Sequence, residues 1–158
     1  MIVLMRTEEE TAAYACMIVR KPAATVFQAF ADPAVTTRFW YSKSSGPMAP
    51  GAELRWEWET YGASAPVRVL TVEEDRLITF EWGNYARPTT VTLTFSPLPG
   101  RPQDTFVEVR ETGFHGQGAE LVSWLNDTVG GFTTALCAMK SLLEHDIETN
   151  AVADHHPA

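Results

Sequence analysis

The sequence predicts an α+β domain: a curved antiparallel sheet of six strands wrapped around one long C-terminal helix, with two short helices after the first strand. Three observations carry that expectation. Between Leu54 and Val109 apolar residues recur at every second position, the period of a strand with one buried face. From Leu121 to Ile147 they recur at steps of three and four, the period of a helix with one apolar stripe. The strand-like segments are joined by short links, which suit antiparallel neighbours because parallel ones need long crossovers.

In chain order, residues 1–12 form an N-terminal arm. MIVLM, followed by an arginine and three glutamates, is too short for a signal-peptide core and has no cleavage pattern after it. Tyr14 to Arg20 is an apolar run with β-branched members, the first strand. Pro22 suits a first helical position, and Val26, Phe27 and Phe30 give a helical face up to about Ala31. Asp32-Pro33 restarts a short helix, aspartate as N-cap and proline after it, through about Phe39. Residues 42–51, SKSSGPMAPG, have loop composition.

The period then becomes two. Leu54, Trp56 and Trp58 alternate with Arg55, Glu57 and Glu59, and Gly62 ends that strand. Val67 and Val69 open the next, which runs to about Glu73. After the turn signal Glu74-Asp75 come Ile78, Phe80 and Trp82, then Val91, Leu93 and Phe95 alternating with threonines. Pro97 to Asp104 is a proline-rich loop by composition, and Val107 and Val109 lie on the inward parity of the last strand. Only the helix of residues 118–148 is long enough to cover the sheet's apolar face. Residues 13–149 are therefore one domain and residues 150–158 a flexible tail.

With 158 residues, 45% hydrophobic and 20% charged, the chain has the balance of an ordinary folded domain. Its net charge of −8 disfavours phosphate backbones and anionic lipid surfaces. No apolar run approaches the length of a membrane span. Cys16 and Cys137 read as small buried hydrophobes in a reducing cytoplasm. The histidines form no metal-ligand spacing with them, and no metal or cofactor is expected. There is no serine elbow, no phosphate-binding loop and no defined pair of catalytic carboxylates, so no catalytic residue is assigned.

On these segments the chain resembles the START-like superfamily, also called SRPBCC or Bet v 1-like. Within it the likeness is to the branch named after the C-terminal domain of the heat-shock-protein-90 ATPase activator. KPAATVFQAFADP after the first strand, Phe39-Trp40, PGAELRWEWE from Pro50, EEDRLITFEW from Glu73, VEVRETGF from Val107 and the final helix WLNDTVGGFTTALCAMKSLLEH carry it. The resemblance implies a helix-grip fold over about residues 13–148. It does not imply one activity, because the superfamily includes lipid carriers, hormone receptors, polyketide cyclases and self-sacrificing resistance proteins. The activator's large chaperone-binding domain has no counterpart before Ala13, which sets co-chaperone work second to ligand binding.

The inward parity collects Trp56, Trp58, Phe80, Trp82 and Phe95, and the helix adds Trp124. Such rings form either plain core or the wall of an apolar cavity, where an indole N–H more easily finds a partner. Thr128 and Glu111 are the polar contacts expected there. Glu111 shares the parity of Val107 and Val109 but lies near the strand end, where a carboxylate normally stays wet at the rim. If buried, its pKa rises and it becomes a candidate general acid or base. His115, in the following loop, reads as solvated. Gly130-Gly131, in mid-helix, costs about 1 kcal/mol per glycine relative to alanine, and reads as a kink or as room for close approach to the sheet or a cavity.

The leading expectation is binding of a small hydrophobic or aromatic molecule between sheet and helix. The alternatives are a protein-interaction module of co-chaperone or stress-response type, with a protein partner or homodimer, and a cyclase- or hydrolase-like enzyme acting through Glu111 on a hydrophobic substrate.

Overall fold

Strand alternation sets the architecture. The computed structural model describes residues 10–84 and 86–156, so most of the expected N-terminal arm lies outside the described residues. The elements run β1 (Ala12–Val19), α1 (Ala23–Ala31), α2 (Pro33–Thr36), β2 (Lys43–Ser44), β3 (Glu53–Trp58), a 3-10 turn at Glu59–Tyr61, β4 (Ala63–Glu73), β5 (Leu77–Trp82), β6 (Thr89–Leu98), β7 (Arg101–Thr112), α3 (Gly118–His145) and α4 (Ala151–Asp154). The strands form one seven-stranded sheet in the order β1-β7-β6-β5-β4-β3-β2, every described pairing antiparallel. This is the helix-grip class that the periodicities imply.

The alternating residues do what their parity requires. Trp56 on β3, Val67 on β4, Phe80 on β5, Val91 and Leu93 on β6 and Val107 on β7 are all fully buried on the concave face. On α3 the buried residues are Phe132, Ala135, Leu136, Ala138, Met139 and Leu142, all in its second half. That half is clipped to the end of β1, where Lys140 Nζ donates to the Ile18 carbonyl at 2.8 Å and Glu144 accepts from the Arg20 N–H at 3.3 Å. Asp32 caps α2 by accepting from the Ala34 N–H at 2.9 Å, as the Asp-Pro pair predicts.

Several details differ from the sequence expectation. The sheet gains a strand, because Lys43 and Ser44, within the expected loop, pair with Glu57 and Trp56 at the edge. The proline-rich stretch from Pro97 to Asp104 is no open loop: β6 runs to Leu98 and β7 starts at Arg101, joined by a tight turn at Pro99-Gly100. Gly100 there has a φ of +76°, which glycine adopts without strain. Cys16 and Cys137 are exposed rather than buried. Cys16 lies on the outward parity beside buried Ala15, and Cys137 turns away between buried Leu136 and Ala138. The expected flexible tail contains α4, whose Val152 is buried. His156 stacks on Tyr61 at 4.0 Å between ring centroids. Arg38 ties down the connection by pairing with Asp146 at 3.1 Å and Glu148 at 2.9 Å.

Phe95 is a wholly structural ring, 2% exposed and edge-on to Phe27 at 5.8 Å. Phe95→Ala is expected to cost about 3–5 kcal/mol of unfolding free energy, read by urea denaturation. A cost below about 1 kcal/mol would show that the site collapses or was never tightly packed.

Candidate functional site

Because only the second half of α3 seats on the sheet, its first half stands off and leaves a cleft of about 400 Å³. Every wall comes from a different element. Trp58 comes from β3, Ala63 and Ala65 from β4, Trp82 from β5, Thr89 from β6 and Glu111 from β7. Trp124, Asp127, Thr128, Gly131 and Phe132 project from α3, Trp40 follows α2, and Val152 and His156 close one end.

The expected site residues divide accordingly. Trp58, Trp82, Glu111, Trp124 and Thr128 line the cleft. Trp56, Phe80 and Phe95 do not, and are corrected to core. Trp56 is fully buried, stacked on Tyr41 at 4.7 Å and edge-on to Trp40 at 5.0 Å, so Trp40 faces the cleft in its place. Phe80 stands edge-on to Trp56 at 5.2 Å, and Phe95 packs beneath α1. Sequence reasoning missed Trp40, Tyr61, Thr89 and Phe132 as lining residues. Thr89 carried a signal, since it shares the inward parity of Val91, Leu93 and Phe95. Val152 and His156 carried none, since they reach the cleft only through the fold of α4.

Glu111 is the polar centre. It is 2% exposed, so the wet-rim expectation fails. The cause is register: Glu111 pairs with Val91 on β6 and Ala13 on β1, so strands flank it on both sides. Trp82 and Thr89 stand directly opposite each other on β5 and β6. Both donate to the same oxygen, Glu111 Oε1, the indole N–H at 2.8 Å and the hydroxyl at 2.5 Å. Glu111 Oε2 has no hydrogen-bond partner among the described residues, and neither has the Trp58 indole N–H. Burial pushes the Glu111 carboxyl above the ordinary carboxylate range, and the hydrogen bonds from Thr89 and Trp82 offset part of that push.

The paired glycines sit where the two halves of α3 differ, and the helix passes through them unbroken. A Cβ on Gly131 would meet nothing within 4 Å, and Gly131 lines the cleft. A Cβ on Gly130 would come 3.6 Å from His155. Neither glycine is required by contact with the sheet; Gly131 keeps a side chain out of the cleft. His115 does not line it: its ring lies edge-on to Trp124 at 5.0 Å and its buried Nδ1 has no partner among the described residues. Among the described residues no group of three His, Cys, Asp or Glu is placed to hold a metal ion, and no helix is long and apolar enough to cross a membrane.

Comparison with known proteins places this geometry. The family model described as "Activator of Hsp90 ATPase homolog 1-like protein" matches residues 20–144. The solved structure of SSP2350 from Staphylococcus saprophyticus is similar at 30% identity and a TM-score of 0.74, covering 87% of this chain and 95% of that one. The Aha1 dimer from Colwellia psychrerythraea shares the fold at 12% identity and a TM-score of 0.73, covering 85% and 97%. PFC0360w, an HSP90 activator from Plasmodium falciparum, does so at 15% identity and a TM-score of 0.64, covering 84% and 96%. No curated protein matches the chain significantly.

Two outcomes follow from the site. Gly131→Ala is expected to raise the unfolding free energy by about 1 kcal/mol, because alanine favours the helix and meets no obstacle; a loss of stability would mean that the glycine serves the fold. Glu111, its pKa raised above the 4.5 of an ordinary carboxyl, holds a proton more tightly folded than unfolded. Its contribution to stability is therefore complete below that value and declines as pH rises toward the folded pKa. Denaturation at a series of pH values is expected to show this decline in the wild type and not in Glu111→Gln. Parallel curves for the two proteins would contradict the raised pKa.

Proposed function

We propose, for a chain that belongs to the family of Activator of Hsp90 ATPase homolog 1-like proteins, that its cleft reversibly binds a small apolar or aromatic molecule. One observation carries the reading: the residues walling a ring-lined cavity of about 400 Å³ include a buried carboxyl oxygen and an indole N–H without partners among the described residues. Leaving a buried polar group unsatisfied costs about 1–3 kcal/mol. A ligand offering matching groups recovers that cost while burying its apolar surface against the tryptophans. The volume lies within the roughly 300–1,000 Å³ usual for small-molecule sites. Trp58, Trp82, Trp124, Thr128 and Glu111, with Trp40 and Phe132, would make the contacts.

A second reading, a protein-interaction module of co-chaperone type, draws on the family and on the HSP90 activator among the similar structures. It predicts stimulation of a chaperone ATPase that does not depend on the cleft. An enzymatic role would use the same carboxyl, Glu111, to pass a proton to a bound carbonyl.

Four of the five tryptophans line the cleft, so ligand entry is expected to change intrinsic fluorescence. Native mass spectrometry of freshly purified protein is expected to show a co-purified small molecule. Gly131→Leu, which projects a side chain into the opening, is expected to weaken binding at least about tenfold with the helix intact. Binding that survives Gly131→Leu unchanged would move the ligand elsewhere, and a variant that stimulates a chaperone like the wild type would favour the second reading.

A further inference from the structure

We infer that the ligand of this cleft is an organic cation, a protonated amine that donates an ammonium N–H to Glu111 Oε2 and lays its carbon body among Trp40, Trp58 and Trp82. The inference rests on the reading that the cleft binds a small apolar or aromatic molecule, and it names the charge of that molecule.

Three independent features point the same way. The first is the unequal use of the Glu111 carboxylate. Trp82 and Thr89 both donate to Oε1, while Oε2, buried with the rest of a side chain that lines the cleft, has no partner among the described residues. An oxygen so placed accepts a donor from the ligand, and a charged donor makes the stronger bond. The second is the charge of the wall. Its carboxylates are Glu111 and Asp127, and no lysine or arginine lines it among the described residues. An anionic ligand would be set against Glu111 with no counter-charge in that wall, whereas a cation finds its counter-ion there. The net charge of −8 on the chain draws cations toward the surface at large.

The third is the arrangement of rings. Trp40, Trp58 and Trp82 lie 5.9–6.3 Å apart, centroid to centroid, at interplanar angles of 59–65°. Phe132 approaches Trp40 at 5.8 Å and Trp82 at 5.7 Å. Rings inclined to one another in this way offer both faces and edges, and the electron-rich face of tryptophan attracts a cation more strongly than that of any other side chain. The unpartnered Trp58 indole N–H adds a donor, which suits a hydroxyl or ether oxygen elsewhere on the same ligand.

The competing possibility is a neutral ligand whose carbonyl accepts a proton from a protonated Glu111. The two differ in the sign of their pH dependence. A bound ammonium keeps Glu111 ionised, so each amine that enters a cleft with a protonated carboxyl releases one proton to the buffer, and affinity rises with pH. A neutral acceptor needs the protonated acid, so its affinity falls as pH rises. Ala13 and Val91 flank Glu111 in the sheet and do not titrate. The other titratable groups on the wall are Asp127 from α3, Tyr61 before β4 and His156 beyond α4. Burial pushes the Tyr61 hydroxyl up to about 12, so it stays neutral. His156→Gln removes the imidazole from the wall and separates its contribution from that of Glu111.

The test is calorimetric titration of the full chain with phenethylamine, phenethyl alcohol and phenylacetate, below and above neutrality and in two buffers of different ionisation enthalpy. The amine is expected to bind about tenfold more tightly than the alcohol, with phenylacetate weakest. Its affinity should rise with pH and its binding should release a proton, in the wild type and in His156→Gln alike. Glu111→Gln should bind amine and alcohol equally. Should that variant fail to fold, proton release by the wild type decides the matter. Alcohol or phenylacetate binding as tightly as the amine, or no proton released, overturns the cation and leaves an aromatic-ligand site standing. No heat and no change in the tryptophan signals with any of the three overturns both.

Discussion

Phe132, Ala135, Leu136, Met139 and Leu142 seat the second half of α3 on the concave face of the sheet, and the rest of the molecule is arranged around that contact. A helix of 28 residues spans about 42 Å, and the sheet it crosses is curved. Helix and sheet touch along only part of that length, since the buried residues of α3 all lie in its second half. Where they touch, the stripe is buried and the Lys140 and Glu144 contacts hold it to β1. Where they part, the tryptophans that would have been core become the wall of a cleft. The cleft is thus a consequence of how one helix fails to follow one sheet.

Into that gap the sheet places an acid. Glu111 sits in the same inward file as Val107 and Val109, and the strands on either side exclude water from it. A carboxyl there carries a desolvation cost that two donors on one oxygen only partly offset. The other oxygen is buried as well and has no hydrogen-bond partner among the described residues. A core of aliphatic residues at the same height would have been more stable and would have had nothing to offer a polar group on a ligand. Trp58 repeats the pattern with its indole N–H.

The C-terminal segment completes the enclosure. Arg38 holds the chain just beyond α3 through Asp146 and Glu148, and α4 then brings Val152 and His156 to the cleft. The His156 ring stacked on Tyr61 joins this segment to the turn between β3 and β4. Gly131 contributes by what it lacks. A larger residue would favour the helix and occupy the opening, so stability and room in the cleft pull in opposite directions at that position.

The alternation of Leu54, Trp56 and Trp58, of Ile78, Phe80 and Trp82, and of Val91, Leu93 and Phe95, with the three-and-four steps of the last helix, determined by itself that a curved antiparallel sheet would hold one long helix. Local periodicity suffices there because each pattern is written in consecutive residues. It could not show that Lys43 and Ser44 add an edge strand or that residues 151–154 form a helix, since both depend on partners distant in the chain. Parity also placed six strand residues on the inward side as candidates and the helical stripe added Trp124 and Thr128, but only depth along the groove separates wall from core. Trp56, Phe80 and Phe95 lie where neighbouring rings cover them, and Trp58, Trp82, Glu111, Trp124 and Thr128 lie where α3 stands away. Whether Glu111 would be wet or dry was likewise settled by its flanking strands rather than by its position near a strand end. Sequence determines which face a side chain takes; how far the covering helix stands from that face is set by curvature, which exists only once the sheet is assembled.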